Sequence, residues 1–308
     1  MKQIFGYIGQ YAKNLHTGSF ITCTILLGIG VFLNYNLGLD KFISRQSSVL
    51  TAFFYRYILS LAAFALPYLV IALWRKQFFF KQLKFLALLF IAPAIFAFKM
   101  EWVTFTHITD DFFYNRYWNQ VLYWPVLLLL VITCLLLIWK SGLVRDTQNF
   151  YGIKTKEMNW KPYILMLLIM LPLVTWASFQ PDFLHTYPKI KMIAGIEGVA
   201  QLSWWQKLLF ELSYGSDFIS IELFFRGFLI LAFMKWAGPN AIIPMACFYC
   251  TIHFGKPLAE CISSYFGGLL LGIIVYNTRS VLGGLMVHVG IAWMMELGGY
   301  WGLMRMWE

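Results

Sequence analysis

Ionisable residues crowd the apolar C-terminal third of this chain. The stretch DFISIELFFRGFLILAFMKW, residues 217–236, is nearly membrane-spanning in length, yet it holds Glu222 and Arg226 four residues apart. A charge in hydrocarbon costs roughly +2.5 to +3.5 kcal/mol on insertion scales, so each one calls for a reason. At i and i+4 the pair shares one helix face. In FYCTIHFGKPLAE, His253 closes one apolar segment and Glu260 opens the next across a Gly255–Pro257 turn. In GGLMVHVGIAWMMEL, His288 and Glu296 stand in otherwise apolar text. A glutamate base, with histidines to position and polarise a water, suits hydrolysis or proton transfer. The same groups could carry protons in a transporter, and a Glu–Arg pair can also neutralise itself and simply pin helices. Cys247-x-x-Cys250-x-x-His253 has the look of a zinc motif, but its residues share one apolar helix and no second ligand pair stands nearby. All five Cys lie in apolar segments and read as small buried hydrophobes rather than a disulfide framework.

The elements that must position these groups are membrane helices. Of 308 residues, 60% are hydrophobic and 12% charged, about half the charged fraction of a soluble domain, which is roughly 25%. Aromatics reach 19%, as expected where rings anchor at membrane interfaces. Apolar segments near 19–38, 50–73, 84–99, 120–139, 161–178, 217–236, 239–255, 259–277 and 281–303 predict an all-α polytopic bundle of eight or nine spans. The first 18 residues are mixed polar and followed by a full-length span, so no cleavable signal peptide is expected. Basic residues cluster in two loops, Arg75, Lys76, Lys81 and Lys84 in one and Lys140, Arg145, Lys154, Lys156 and Lys161 in the other. Alternate counting puts both loops on one side, which the positive-inside rule makes cytoplasmic, with the N-terminus. The loops at 100–119 and 179–210 then face outward.

Polarity divides the chain further. Residues 1–178 read as a supporting bundle, in which Arg56 is the exceptional charge. Residues 179–216 read as an extramembrane loop, and SWWQKLLFELSYG within it predicts either an interfacial helix or the start of the next span. Residues 217–303 form the chemically distinctive core, and the GGLLLG run at 267–272 predicts close helix packing.

Within that core the sequence resembles the CPBP family of membrane proteases, which includes CAAX prenyl endopeptidases and bacteriocin-processing proteins. The first family motif is two successive Glu, three residues, then Arg, usually followed by Gly; Glu222, Arg226 and Gly227 match its second Glu, its Arg and its Gly. The second motif, an aromatic three residues before His, is matched by Tyr249 and His253. The third is His, three residues, then Asn or Asp; His288 matches it. The run between the two His motifs, through TRS before the last helix, is similar to the family almost throughout, and the resemblance covers about 205–303.

The resemblance implies a glutamate-activated water attacking a peptide bond near the membrane surface, with no covalent intermediate. It implies that the first motif Glu and the second-motif His, here His253, activate the water, that the third-motif His, here His288, and Asn stabilise the oxyanion, and that Arg226 supports Glu222. For this chain the expected site is catalytic Glu222, His253 and His288 around one water, with Arg226, Tyr249, Glu260 and Glu296 in support. No cofactor is expected, and the alternative is a divalent metal such as zinc on His253, His288 and Glu222. Two departures mark this chain as atypical: Ile221 stands where the first Glu belongs, and Ala292 where the Asn belongs. In one reading Glu222 takes over the base role and Glu260 or Glu296 supplies the missing polar group. In the other, the fold is kept as an inactive scaffold that binds a partner. The expected surroundings are a bacterial plasma membrane and a membrane-associated protein or peptide substrate, with no nucleic acid.

Overall fold

The computed structural model describes residues 2–102, 105–144, 150–153, 159–193 and 201–305. Arg145, Lys154 and Lys156, counted above among the cytoplasmic charges, lie outside these residues. The described residues are helices and connecting turns, with no strand among them. A backbone within a bilayer has no water to bond to, and helices satisfy their own N–H and C=O groups. The elements used below are α1 (Lys2–Asn14), α2 (Thr17–Leu37), α3 (Leu39–Ser44), α4 (Val49–Arg75), α5 (Leu83–Glu101) and α6 (Phe112–Lys140). They continue with α7 (Lys161–Ala177), α8 (Pro181–Thr186) and α9 (Trp204–Ile221). A π-helical segment, Glu222–Phe228, comes next. After short turns of helix come α10 (Ile242–Thr251), α11 (Leu258–Thr278) and α12 (Leu282–Arg305).

Among the described residues, six helices, α2, α4, α5, α6, α11 and α12, are long and apolar enough to cross a membrane, and α7 is a shorter apolar helix. Large apolar side chains stay exposed along them, among them Leu73, Leu129 and Leu168. Apolar surface on this scale belongs against lipid, so the chain is a multi-pass integral membrane protein. Two segments read as spans from hydropathy take another form. Residues 217–236 are split among the end of α9, the π-helical segment and shorter helical pieces. Residues 239–255 contain part of a 3₁₀ turn and the ten-residue α10, every residue of which is buried. Hydropathy records an apolar environment and does not distinguish surrounding protein from surrounding lipid.

The chain forms two compact units. One contains residues 1–102, 133–155 and 223–281. In it α4 packs along α5 and α10 packs against α4 and α11, around an aromatic core of Phe64, Tyr68, Phe85, Phe233 and Phe248. The small residues of the GGLLLG run work as their spacing suggests. A Cβ on Gly268 would lie 3.1 Å from Tyr249, and one on Gly272 would lie 2.9 Å from Met245. The other unit contains residues 103–132, 156–222 and 282–308. There α12 lies against α7, and Gly283 and Gly290, seven residues apart, make room for Tyr163 and Leu167. The tract Ser203–Gly215 is the first part of α9, opened by a capping box of Ser203 and Gln206. Trp204, Trp205, Leu208 and Leu212 are exposed on it. Phe210, Ser213 and Tyr214 are buried, with the Ser213 hydroxyl donating to the Val121 carbonyl.

The charge distribution makes a direct prediction about orientation. In whole cells, Lys81→Cys and Lys140→Cys are expected to resist a membrane-impermeant maleimide, while His107→Cys labels from outside. Labelling of both lysine positions in intact cells, with His107→Cys silent, would invert the assignment.

Candidate functional site

Glu222 begins the π-helical segment and is fully buried. Its Oε1 lies 2.9 Å from His288 Nδ1 on α12. The widened π turn is a local departure from regular α-helix of a kind frequent at functional sites. Two structural features make the contact. His288 is four residues beyond Gly284 and so shares its helix face. A Cβ at Gly284 would come 2.6 Å from Glu222 Oε2, so the missing side chain is what admits the carboxylate. Phe218, one turn before Glu222, packs edge-on against the imidazole with centroids 4.7 Å apart. Where the carboxylate is ionised it only accepts, and Nδ1 of His288 then donates. In that arrangement the neutral ring carries its proton on Nδ1 and leaves Nε2 as its accepting nitrogen. The His288 side chain retains 13% of its exposure, against 1% for Glu222. The acid is thus enclosed, while the imidazole stays partly exposed.

The other unit holds Arg226, Tyr249, His253 and Glu260. Arg226 is fully buried, with its guanidinium carbon 4.0 Å from the centre of the Tyr249 ring. A desolvated cation over an aromatic face gains more than the same contact in water. Gly227 is required by the neighbouring chain: a Cβ there would lie 2.6 Å from the Tyr151 carbonyl oxygen. The second-motif residues also meet, since Tyr249 and His253 have ring centroids 4.7 Å apart. His253 Nδ1 lies 2.9 Å from the Tyr249 carbonyl. A carbonyl accepts, so this histidine too commits its Nδ1–H and presents Nε2 as acceptor. Glu260 sits in the first turn of α11, 3.5 Å from Lys256 Nζ.

Glu296 is placed two turns beyond His288 on α12, and its Oε2 accepts the backbone N–H of Lys189 at 2.7 Å. It works with Glu211, which the sequence reading had not singled out. Tyr300 Oη lies 3.5 Å from Glu211 Oε1, and Trp293 Nε1–H donates to the Glu211 carbonyl oxygen. Burial first, and then the nearby Glu296 carboxylate, push the Glu211 carboxyl up to about 8. Two acids in one dry site resist double ionisation. Glu211 and Glu296 therefore join α9, α12 and the segment after α8. The signal that could have found Glu211 is its place in an amphipathic helix whose exposed residues are apolar, which turns a polar residue inward.

Ile221 and Ala292, at the positions where the resemblance expects Glu and Asn, are both buried. Among the described residues no group of three or more His, Cys, Asp or Glu side chains could hold a metal ion. Cys250 and Cys261 are a buried thiol pair with sulfurs 3.7 Å apart.

Residues 204–294 match the family model described as type II CAAX prenyl endopeptidase Rce1-like. No curated protein and no solved structure matches the chain.

The close approach at Gly284 makes the pair testable without substrate. Gly284→Ala is expected to cost about 1–3 kcal/mol by overpacking against the Glu222 carboxylate, read as a lower melting temperature in detergent. Gly267→Ala, whose Cβ meets nothing within 4 Å, is the control and should be neutral or stabilising. A second expectation concerns pH. Because the Glu211 carboxyl is raised, its contribution to stability is fully present below the ordinary carboxyl range and is lost as pH rises through about 8. The melting temperature should fall as pH rises from about 4.5 to about 8 and level off above that, and Glu211→Gln should flatten the fall. A profile that Glu211→Gln leaves unchanged would assign the effect elsewhere.

Proposed function

We propose that this chain, whose residues 204–294 belong to the Rce1-like CAAX prenyl endopeptidase family, is a membrane-embedded endopeptidase acting on a membrane-associated protein or peptide. The observation that carries the reading is the bond from His288 to the buried carboxylate of Glu222. A carboxylate behind an imidazole holds the ring in one tautomer and stabilises the cation formed when the ring takes a proton. In this proposal a water is deprotonated by His288 Nε2, with Glu222 balancing the developing charge, and its oxygen attacks the scissile carbonyl carbon. The proton then passes from the imidazolium to the leaving amine, and no acyl-enzyme forms. His253, likewise held through Nδ1, is the second polar group that the resemblance assigns to the reaction. Arg226 keeps a positive charge four residues from Glu222 along the same helical segment. The pairing thus supports a different division of labour from a lone glutamate base: the residue at 222 acts through its histidine, which suits a chain with Ile at 221.

A second reading rests on Ile221 and Ala292. With apolar side chains at two positions that are polar in the family pattern, the fold could persist as a partner-binding scaffold, its Glu–His bond purely structural.

Glu222→Gln separates the two. It keeps the shape and a hydrogen-bond acceptor but removes the charge behind His288, so turnover should drop by about 10²–10⁴ while the protein stays folded. A deletion strain complemented with either wild type or Glu222→Gln should accumulate an unprocessed membrane protein only with the variant. Equal processing with both would remove Glu222 from the chemistry. Arg226→Ala is expected to act differently, lowering expression or stability, because it takes away a fully buried cation packed on Tyr249.

A further inference from the structure

We propose that Asn34, in the N-terminal part of the chain and outside the family match, is a positioning residue that sets the orientation of His253. The inference rests on the proposed function only in giving His253 a role; the geometry stands by itself. α10 ends at Thr251 and α11 begins at Leu258, so the turn after His253 carries carbonyls that neither helix satisfies. In a membrane protein those carbonyls need donors from the protein itself. α2 supplies them. Asn34, buried at 4% exposure, donates from Nδ2 to the Phe254 carbonyl at 2.9 Å. The next residue, Tyr35, donates its hydroxyl to the Lys256 carbonyl at 2.6 Å.

The grip is itself braced. Asn34 Oδ1 accepts the backbone N–H of Asp40 at 2.9 Å, tying the end of α2 to α3. The Asp40 carboxylate is held by Arg56 at 2.6 Å, and Arg56 also binds Glu101 at 2.7 Å, which anchors α3 to α4 and α5. Asp40 then meets the turn: a Cβ on Gly255 would lie 2.9 Å from its Oδ2. Residues 254, 255 and 256 are therefore each contacted from α2 or α3, directly after the histidine. His253 has its Nδ1 fixed on the Tyr249 carbonyl one turn earlier. With the backbone fixed on both sides, the direction of Nε2 is fixed as well. The buried charge of Arg56 thus serves as the far end of this brace.

The test reads the His253 ring itself. Diethyl pyrocarbonate modifies imidazole nitrogens, and peptide mapping by mass spectrometry gives a rate for each histidine as a function of pH. The charged groups on the elements packed around the turn are Asp40, Arg56, Glu101, Lys256 and Glu260, and the variants leave all of them in place. Asn34→Leu removes both bonds at similar volume, and Tyr35→Phe removes only the hydroxyl. In Asn34→Leu the His253 rate should change by at least about threefold, as local restraint is lost, and its pH midpoint should move. Tyr35→Phe should shift both in the same direction by less. The exposed His107 should not change in either. A His253 rate and midpoint equal to wild type in the folded variants would overturn the proposal, and if Asn34→Leu does not fold, Tyr35→Phe decides alone. Where processing can be measured, Asn34→Leu should lower kcat by roughly tenfold or more with little change in KM. Should His253→Gln still process substrate, the catalytic reading of His253 fails, while the labelling result continues to judge Asn34.

Discussion

A carboxylate with no exposure to solvent, in a chain built for lipid, must find its hydrogen bonds within the protein. Glu222 finds one at His288, and much of the C-terminal architecture follows from that bond. Glycine is needed at 284 because a side chain there would occupy the carboxylate's place. Phe218 covers the imidazole, so the bond forms in an environment where it is stronger than in water. The π turn opens at Glu222 itself. Removing His288 would leave the Glu222 carboxylate buried without that donor, which makes the pair costly to break from that side.

The same demand recurs away from this pair. Arg56 is buried between Asp40 and Glu101, and Glu296 takes a backbone N–H from Lys189. These polar groups inside the helices thus tie together segments that lie apart in the chain. In the Arg56 case the tie reaches the turn next to His253, so an N-terminal bundle with no motif of its own shapes a C-terminal residue.

The helical membrane fold was legible because hydropathy reports directly on burial in an apolar medium. The residues Glu222, Arg226, His253 and His288 stood out for the same reason, as charges where charges are expensive. Legibility stopped where the signal is degenerate. α10 is enclosed by protein on all sides and reads like a span, although it has only ten residues. The π turn breaks 217–236 without any proline or glycine cluster to announce it. Glu211 was hidden in an amphipathic helix whose polar and apolar residues face opposite to the soluble pattern. Asn34 was invisible because an asparagine near a helix end carries no sign of the distant carbonyl it binds. Arg56 stands out in the sequence as an exceptional charge, but its two carboxylates, 16 and 45 residues away, appear only once the chain is folded.

The account turns on His288 donating through Nδ1 to Glu222 and leaving Nε2 to act. Nitrogen NMR on ¹⁵N-histidine-labelled protein, with His288→Gln to assign the signal, observes this directly. In mildly alkaline buffer the account predicts that the neutral His288 ring is protonated at Nδ1, and that Glu222→Gln shifts its resonances. A neutral ring protonated at Nε2, with resonances indifferent to Glu222→Gln, would contradict it.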